Sequence, residues 1–488
     1  MLEQLKRLTR DSVVYGVGHI ATRLLTFLLL PYYSFRLTPA EYGELTLYFM
    51  FMAVAQTFFI YGLDIAYLRY FTLSKESEQR RRITGTALCV SLLTSVLLTG
   101  MVLGFAETIG RLVVQVPTQP ENVSFLIRLC AGILLFDTLA TFPFLLLRGT
   151  LRPYHFAGVK LLNVCVNIGL NIWFVGYLHL SILGVLYANV IASAMTLGVL
   201  LPFFRGRVTW KIDRRILGEM VKFGLPNVPT YLFVMVIELA DRKILELYRG
   251  LEEAGLYSAG YKLGMFMAVV TGAFRFAWQP FFLSNADRED APRLFARVLT
   301  YYLLVTGVLL LVLAFFVDLI VKTPWPGIGC ILAPSYWPGL AVFPIILLAH
   351  IFDGIYANLM VGVYLKKLTA RLPLVTGIAA AVTIGLNLLL IPRYGMMAAA
   401  WVTLLAFILE AFGLWLVVRR AYVVPYEWTR IAKMVLVFAV LYALSQLPPF
   451  ETPLMRLLLV ISLPIALYAV AFFDEREKHH LRKMFARG

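Results

Sequence analysis

The chain has 488 residues, of which 60% are hydrophobic and 15% are charged, with a mean hydropathy of +0.80. Soluble domains are about 45–50% apolar and about 25% charged, so this composition excludes an ordinary soluble protein. The formal net charge of +16 would suggest nucleic-acid binding in a soluble protein. In a membrane protein the placement of the charges matters more, and nucleic acid is not an expected partner.

Apolar stretches recur along the whole chain, and each is long enough to cross the roughly 30 Å hydrocarbon core of a bilayer. Strands of membrane barrels alternate apolar and polar residues, a pattern that is missing here. The predicted fold is therefore all-α, a polytopic membrane helical bundle of about 14 transmembrane helices. The predicted spans are 13–35, 43–70, 83–106, 122–148, 155–178, 181–204, 216–247, 254–283, 294–321, 338–365, 370–391, 395–418, 430–447 and 453–473.

Basic residues are concentrated in alternate loops of this predicted arrangement. One set of loops, together with the two termini, holds 29 of the 44 Lys and Arg, whereas the opposite set holds five and the remaining ten lie inside spans. Cytoplasmic loops of membrane proteins are enriched in Lys and Arg. Both termini are therefore predicted to be cytoplasmic, which makes the number of spans even.

An internal repeat divides the chain into two halves. Residues 166–190 and 382–404 both contain Ile-Gly-Leu-Asn, and both copies fall at the fifth span of a six-span half that begins in the cytoplasm. This placement predicts a parallel repeat, the usual frame for alternating access. The predicted lobes are 1–210 and 211–420, and residues 421–488 form two additional helices and a basic cytoplasmic tail.

Several short motifs occur in a fixed order at these topological positions. They are Leu37-Thr-Pro-Ala-Glu-Tyr-Gly43, Phe223-Gly-Leu-Pro-Asn-Val-Pro229, Asp241-Arg242, Ala254-Gly-Leu-Tyr-Ser-Ala-Gly-Tyr-Lys-Leu263, Arg275-Phe-Ala-Trp-Gln-Pro-Phe281 and Ile391-Pro-Arg-Tyr-Gly395. In this order the chain resembles the polysaccharide-transporter (oligosaccharide, O-antigen-type flippase) family of the multidrug/oligosaccharidyl-lipid/polysaccharide exporter superfamily.

The resemblance implies a V-shaped, two-lobed transporter in the bacterial inner membrane. Its implied cargo is an undecaprenyl-pyrophosphate-linked oligosaccharide used for surface polysaccharide assembly. The implied partners are this lipid-linked oligosaccharide and membrane lipids, and the resemblance also admits a polysaccharide polymerase.

Two arginines inside predicted spans are the candidates for binding the cargo. Ionisable groups within a membrane are costly, so they usually face the bundle interior or a wet cavity. Arg23 lies halfway along the first span, and Arg275 ends a stripe of small and polar residues on the eighth. Such a stripe also fits a helix-packing seam. Because a pyrophosphate is dianionic, a transient arginine partner would lower the barrier to its crossing, and Arg23 and Arg275 are assigned that role.

Three asparagines share one face of the fifth span, namely Asn163, Asn167 and Asn171. They are candidates for contacts with sugar hydroxyls. The alternative is hydrogen bonding between neighbouring helices, a common role of asparagine within membranes.

The remaining intramembrane charges have other expected roles. Asp64, Asp137 and Asp353 are candidates for proton or sodium coupling, and no other cofactor or metal is expected because no metal-ligand cluster is present. Asp241 and Arg242 lie close to the outer end of the seventh span, a depth that suits an outer gate or a structural ion pair.

Two prolines at the start of the seventh span, Pro226 and Pro229, remove backbone hydrogen bonds from its first turns. They predict a bend, which is either a static kink or a working hinge.

The predicted function is a flippase, a transporter rather than an enzyme. A MATE-like cation or drug antiporter with the same frame is the alternative, although such a protein would be expected to have an acidic cavity. A membrane glycan polymerase or ligase is the more distant alternative, since it would need a sizeable outer loop with catalytic groups and no such constellation is present.

Overall fold

The computed structural model describes residues 27–325, 329–475, 477 and 478. Within these ranges the regular structure is helical, and the only β-type pairing is a single bridge between Trp325 and Gly329. Ten helices of the described chain are long and apolar enough to cross a membrane. The predicted fold class, an all-α polytopic membrane bundle, is thereby confirmed.

The α-helices are numbered here in chain order. They are α1 (Leu29–Ser34), α2 (Pro39–Ile60), α3 (Leu63–Leu73), α4 (Ser77–Gly104), α5 (Ala106–Val113), α6 (Val123–Gly149), α7 (Pro153–Asn171), α8 (Ser181–Leu200), α9 (Arg214–Gly224), α10 (Val228–Gly264), α11 (Phe266–Asn285), α12 (Ala291–Lys322), α13 (Phe343–Leu365), α14 (Leu372–Val418), α15 (Trp428–Leu444) and α16 (Pro453–Ala469).

Two of these helices are interrupted at a glycine. Gly250 in α10 has φ 88° and Gly395 in α14 has φ 56°, values that favour glycine because it lacks a Cβ. Both positions fall where two predicted spans meet. Ten long helices therefore correspond to more than ten predicted spans, and the total of about fourteen stays a prediction.

The chain forms two compact units. The first comprises the described residues up to Leu263 together with Leu332–Gly339 and Leu372–Ala406. The second comprises Gly264–Ile331 in its described part, Leu340–Arg371 and the described residues from Phe407 onward. The division into the lobes 1–210 and 211–420 stays a prediction.

In the first unit, α6 packs against α4 and α8, and α7 packs against α8. A core where α3, α4, α6 and α9 meet includes Tyr67, Phe142 and Met220. The predicted second span, 43–70, consists of two helices, because the chain turns at Tyr61 and Gly62, both of which have positive φ. The Gly62 and Gly224 backbones touch there, since a Cβ built on Gly62 would lie 2.2 Å from the Gly224 carbonyl oxygen.

In the second unit, α11 packs on α13, and α12 packs on α13, α15 and α16. Trp278 and Phe282 of α11 pack with Phe295 of α12 and Val361 of α13 in one apolar cluster. A second cluster joins α12 to the two C-terminal helices. These contacts fix the helices that carry Arg275 and Asp353.

Candidate functional site

An ion pair joins α11 to α13 in the second unit. Arg275 donates through Nη2 to Oδ1 of Asp353, so a predicted cargo-binding residue and a predicted ion-coupling residue are direct partners. The Arg275 side chain is 54% exposed and the Asp353 side chain is 25% exposed. The pair can therefore reach a ligand, because neither group is enclosed by protein.

Gly264 and Thr271, two positions of the small and polar stripe that leads to Arg275, are buried. Thr271, one turn before Arg275, shares a 3.0 Å hydrogen bond with the Tyr302 hydroxyl and donates to the carbonyl oxygen of His350. A Cβ built on Gly264 would lie 2.6 Å from the Ile346 side chain. Thr271 thus holds α11 close to α12 and α13, Gly264 brings the end of α10 against α13, and Arg275 lies at the exposed end of the stripe.

A buried charged cluster in the first unit contains the two residues assigned to an outer gate. The Asp241 carboxylate accepts hydrogen bonds from the Tyr257 hydroxyl and, at 3.4 Å, from the Thr403 hydroxyl. Arg242 forms an ion pair with Asp241 at 3.2 Å and lies over the Tyr261 ring, 4.5 Å from its centroid. The cluster ties both parts of α10 to α14, and its role as a gate stays a prediction.

Two further buried carboxylates hold the loop that follows α5. Glu44 accepts from the backbone N–H of Thr118 at 2.7 Å and from its hydroxyl at 2.5 Å. Glu246 accepts from the backbone N–H of Gln115 at 2.6 Å and pairs with Lys243 at 2.6 Å. This loop, residues 114–118, is thus fastened to α2 at one end and to α10 at the other. We refer to it as the strap.

No sequence motif predicts that Glu44 or Glu246 holds a loop. Glu44 directly follows the Leu37–Gly43 motif and lies in a largely apolar helix. A carboxylate in such a place needs hydrogen-bond donors when it is buried, and that requirement was the available signal. The strap that provides the donors is 74 residues away from Glu44 in the chain, so local sequence could not identify it.

The motif glycines of the first unit mark close helix contacts. A Cβ built on Gly43 would lie 2.0 Å from the carbonyl oxygen of Leu251, and one built on Gly255 would lie 1.8 Å from that of Pro39. The two motif segments therefore cross with their backbones in contact, which only residues without a side chain allow.

The three asparagines of α7 make helix contacts. Asn163 donates to the Thr196 hydroxyl of α8 at 2.8 Å, and Asn167 donates to the Asn189 side chain of α8 at 3.2 Å. Asn171 donates to Asn167 and accepts from Tyr33. Their amides are occupied in this structure, and contact with sugar hydroxyls stays a prediction.

The other two predicted carboxylates, Asp64 and Asp137, belong to the first unit. Asp64 occupies the first turn of α3, where the helix dipole favours a negative charge. Asp137 on α6 faces Ser193 of α8 and the ammonium group of Lys160 on α7. Their predicted part in ion coupling stays untested.

The remaining predicted residues are Arg23 and the two prolines, Pro226 and Pro229. Arg23, the second predicted pyrophosphate ligand, lies outside the described residues. Pro226 lies in a 3₁₀ turn, Leu225–Asn227, that separates α9 from α10, and Pro229 is the second residue of α10. The Asn227 side chain donates to the carbonyl oxygens of Phe223 and Gly224 at this break.

Comparison with known families and structures agrees with the motif order. Residues 8–285 match the family described as polysaccharide biosynthesis protein. No curated protein matches the chain at a significant level.

Several solved structures share the fold. The lipid II flippase MurJ, in an inward closed conformation, aligns with a TM-score of 0.71 and 14% identity over 94% of this chain and 99% of its own. An inward-facing multidrug resistance MATE family transporter of the MOP superfamily aligns with a TM-score of 0.63 and 13% identity over 82% and 97%. A mutant of the Vibrio cholerae MATE transporter VcmN gives 0.62 and 14% over 85% and 96%.

Proposed function

This chain belongs to the polysaccharide biosynthesis protein family, and we propose on that basis that it flips an undecaprenyl-pyrophosphate-linked oligosaccharide from the cytoplasmic to the outer leaflet of the bacterial inner membrane. The match of the family over more than half of the chain is the observation that carries the proposal. The fold shared with a lipid II flippase along 94% of the chain supports it. The protein acts as a transporter and not as an enzyme.

Arg275 supplies the chemistry that such a cargo needs. A guanidinium presents five N–H donors in a planar fork that matches phosphate oxygens, and it stays charged at every physiological pH. In this structure one of its nitrogens bonds to Asp353 and the side chain is half exposed. A pyrophosphate could displace the Asp353 carboxylate as the partner of the guanidinium. The guanidinium would then be paired before and after the exchange, which avoids the cost of an unpaired arginine in the membrane.

Asp353 then returns the site to its unloaded state. After the cargo leaves, its carboxylate takes back the guanidinium and restores the ion pair. A proton or a sodium ion on Asp353 would weaken the pair and favour loading, which is how this carboxylate would couple transport to an ion gradient. Arg23 remains the proposed second ligand of the pyrophosphate.

Transport in proteoliposomes tests the proposal. The purified chain is reconstituted with a fluorescent undecaprenyl-pyrophosphate-linked oligosaccharide, and the exchange of label between leaflets is followed by quenching from outside. The wild type should accelerate the exchange. Arg275→Ala should slow it about 10- to 100-fold, the usual effect of losing a hydrogen bond to a charged group, and Arg275→Lys should be intermediate.

Arg288→Ala is the matched control. Arg288 also forms an exposed ion pair with an aspartate, Asp290, and the two arginine side chains are 56% and 54% exposed. Arg288 lies in the turn between α11 and α12, so its loss should leave transport unchanged. Exchange that is no faster than in empty liposomes would reject the flippase, and full transport by Arg275→Ala would reject the role of Arg275.

A cation or drug antiporter is the second candidate, because MATE transporters share the fold. Those alignments cover 82% and 85% of the chain, against 94% for the lipid II flippase, which favours the flippase. Loading the same liposomes with a cationic dye separates the two, since an antiporter would move the dye and leave the lipid-linked oligosaccharide in place.

A further inference from the structure

A cavity of about 410 Å³ lies in the second unit where α12 and α15 end and α16 begins. Small-molecule sites in proteins have volumes of about 300–1,000 Å³, so this cavity is large enough for a small ligand. Its wall combines the apolar side chain of Phe315 with the charged side chains of Asp318, Glu451 and Arg456. Neither carboxylate forms an ion pair with Arg456 within the described chain.

Arg456 is held in place and has a donor without an acceptor. Its Nη1 donates to the carbonyl oxygen of Phe315 at 2.7 Å, which fixes the guanidinium at the cavity wall. Its Nε is buried and has no hydrogen-bond partner among the residues that the structure describes. The Nε is enclosed by protein, whereas the Arg456 side chain as a whole is partly exposed and lines the cavity, so an anionic oxygen in the cavity would pair with the guanidinium charge.

Negatively charged side chains also line the cavity. Glu451 is exposed, and its carboxylate has no hydrogen bond or ion pair in the described structure. Asp318 pairs with Lys322 at 2.5 Å, and its side chain is still 50% exposed. The cavity therefore offers both a cationic and an anionic wall, which suits a ligand with a phosphate and an ammonium group.

We propose that this cavity binds the headgroup of an amine-bearing phospholipid, with the phosphate on Arg456 and the ammonium on Glu451 and Asp318. The apolar surface beside the cavity favours a lipid over a free headgroup. Leu319, which lines the cavity beside Phe315, is 43% exposed, and an acyl chain would cover it. The charge pattern of the loops predicts this end to face the outer leaflet.

Lipid binding to the purified full chain tests this site. Native mass spectrometry measures the Kd of phosphatidylethanolamine, phosphatidylcholine and phosphatidylglycerol with the same acyl chains. Phosphatidylethanolamine should bind about tenfold more tightly than phosphatidylcholine, because a quaternary ammonium has no N–H to donate to Glu451. Glu451→Gln should remove this preference, and Glu121→Gln, at another exposed carboxylate in a predicted outer loop, should retain it.

Three results of the lipid measurements would overturn the proposal. The first is equal affinity of the wild type for phosphatidylethanolamine and phosphatidylcholine, and the second is an unchanged preference in Glu451→Gln. The third is tighter binding of phosphatidylglycerol, which would leave the carboxylates without a role. Soluble glycerophosphoethanolamine forms a separate arm: weak competition supports a lipid ligand, and competition at the Kd of the lipid rejects it.

Discussion

At Arg275 and Asp353, two side chains that would each be costly alone in a membrane neutralise each other. The two residues are 78 positions apart in the chain and lie on different helices, α11 and α13, and both side chains remain accessible. The asparagines of α7 differ from this pair because their amides are used between helices. At the scale of single residues, a charged side chain that stays accessible is therefore a candidate ligand, whereas a polar side chain bonded between helices is a packing residue.

Gly255 offers a test of packing at this scale. We expect Gly255→Ala to destabilise the folded protein by about 1–3 kcal/mol or more, because its new Cβ would lie 1.8 Å from the carbonyl oxygen of Pro39. Gly198 of α8 has open space around it, so Gly198→Ala should be neutral or stabilise the helix by up to about 1 kcal/mol. Thermal unfolding of the purified variants measures both. Equal melting temperatures would show that α2 and α10 separate without cost.

At the scale of elements, the break between α9 and α10 tests the hinge. Each alanine in place of Pro226 or Pro229 favours a continuous helix by about 3 kcal/mol, since it restores a backbone N–H and removes a ring clash. If the break works as a hinge, the double variant should lose transport while folded protein stays near the wild-type level. Pro143→Ala, inside α6, is the control and should keep transport. Normal transport by the double variant would leave a static kink as its only role.

The strap offers a second test among the elements. Glu44→Gln should speed hydrogen exchange at the Thr118 amide about tenfold or more, because a bond to a charged acceptor is lost. Glu246→Gln should have the same effect at Gln115. Hydrogen exchange of the purified protein reads the two amides separately, and each variant is the control for the other. No change at either amide would mean that the carboxylates do not hold the strap closed.

At the scale of the whole molecule, the distribution of Lys and Arg predicts the orientation. In a cysteine-free background, Val116→Cys and Phe450→Cys should react with an impermeant maleimide in intact cells. Glu78→Cys and Asp290→Cys should react only after the membrane is opened. Val116 is 77% exposed, so access to protein does not limit its labelling. The reverse pattern at any two of these sites would reject the predicted topology.

The sequence by itself determined the class of the protein, its helical fold and its family. Each of these follows from patterns that are local in the chain: the length of apolar stretches and the order of short motifs around Gly43, Pro226 and Gly395. Hydropathy reports how deep a residue lies in the membrane. It carries little information on which neighbour the residue faces, because that depends on the rotation and packing of each helix.

Only the tertiary structure decided which groups of the chain contact one another. It brought Arg275 to Asp353, placed Glu44 and Glu246 on the two ends of the strap, and put Arg456 on the wall of a cavity with Asp318 and Glu451. Each of these contacts joins groups that are far apart in sequence or depends on the exact approach of three helices. The physical reason is that a charge in a membrane selects its partner by distance in space, and the chain fixes that distance only when the helices pack.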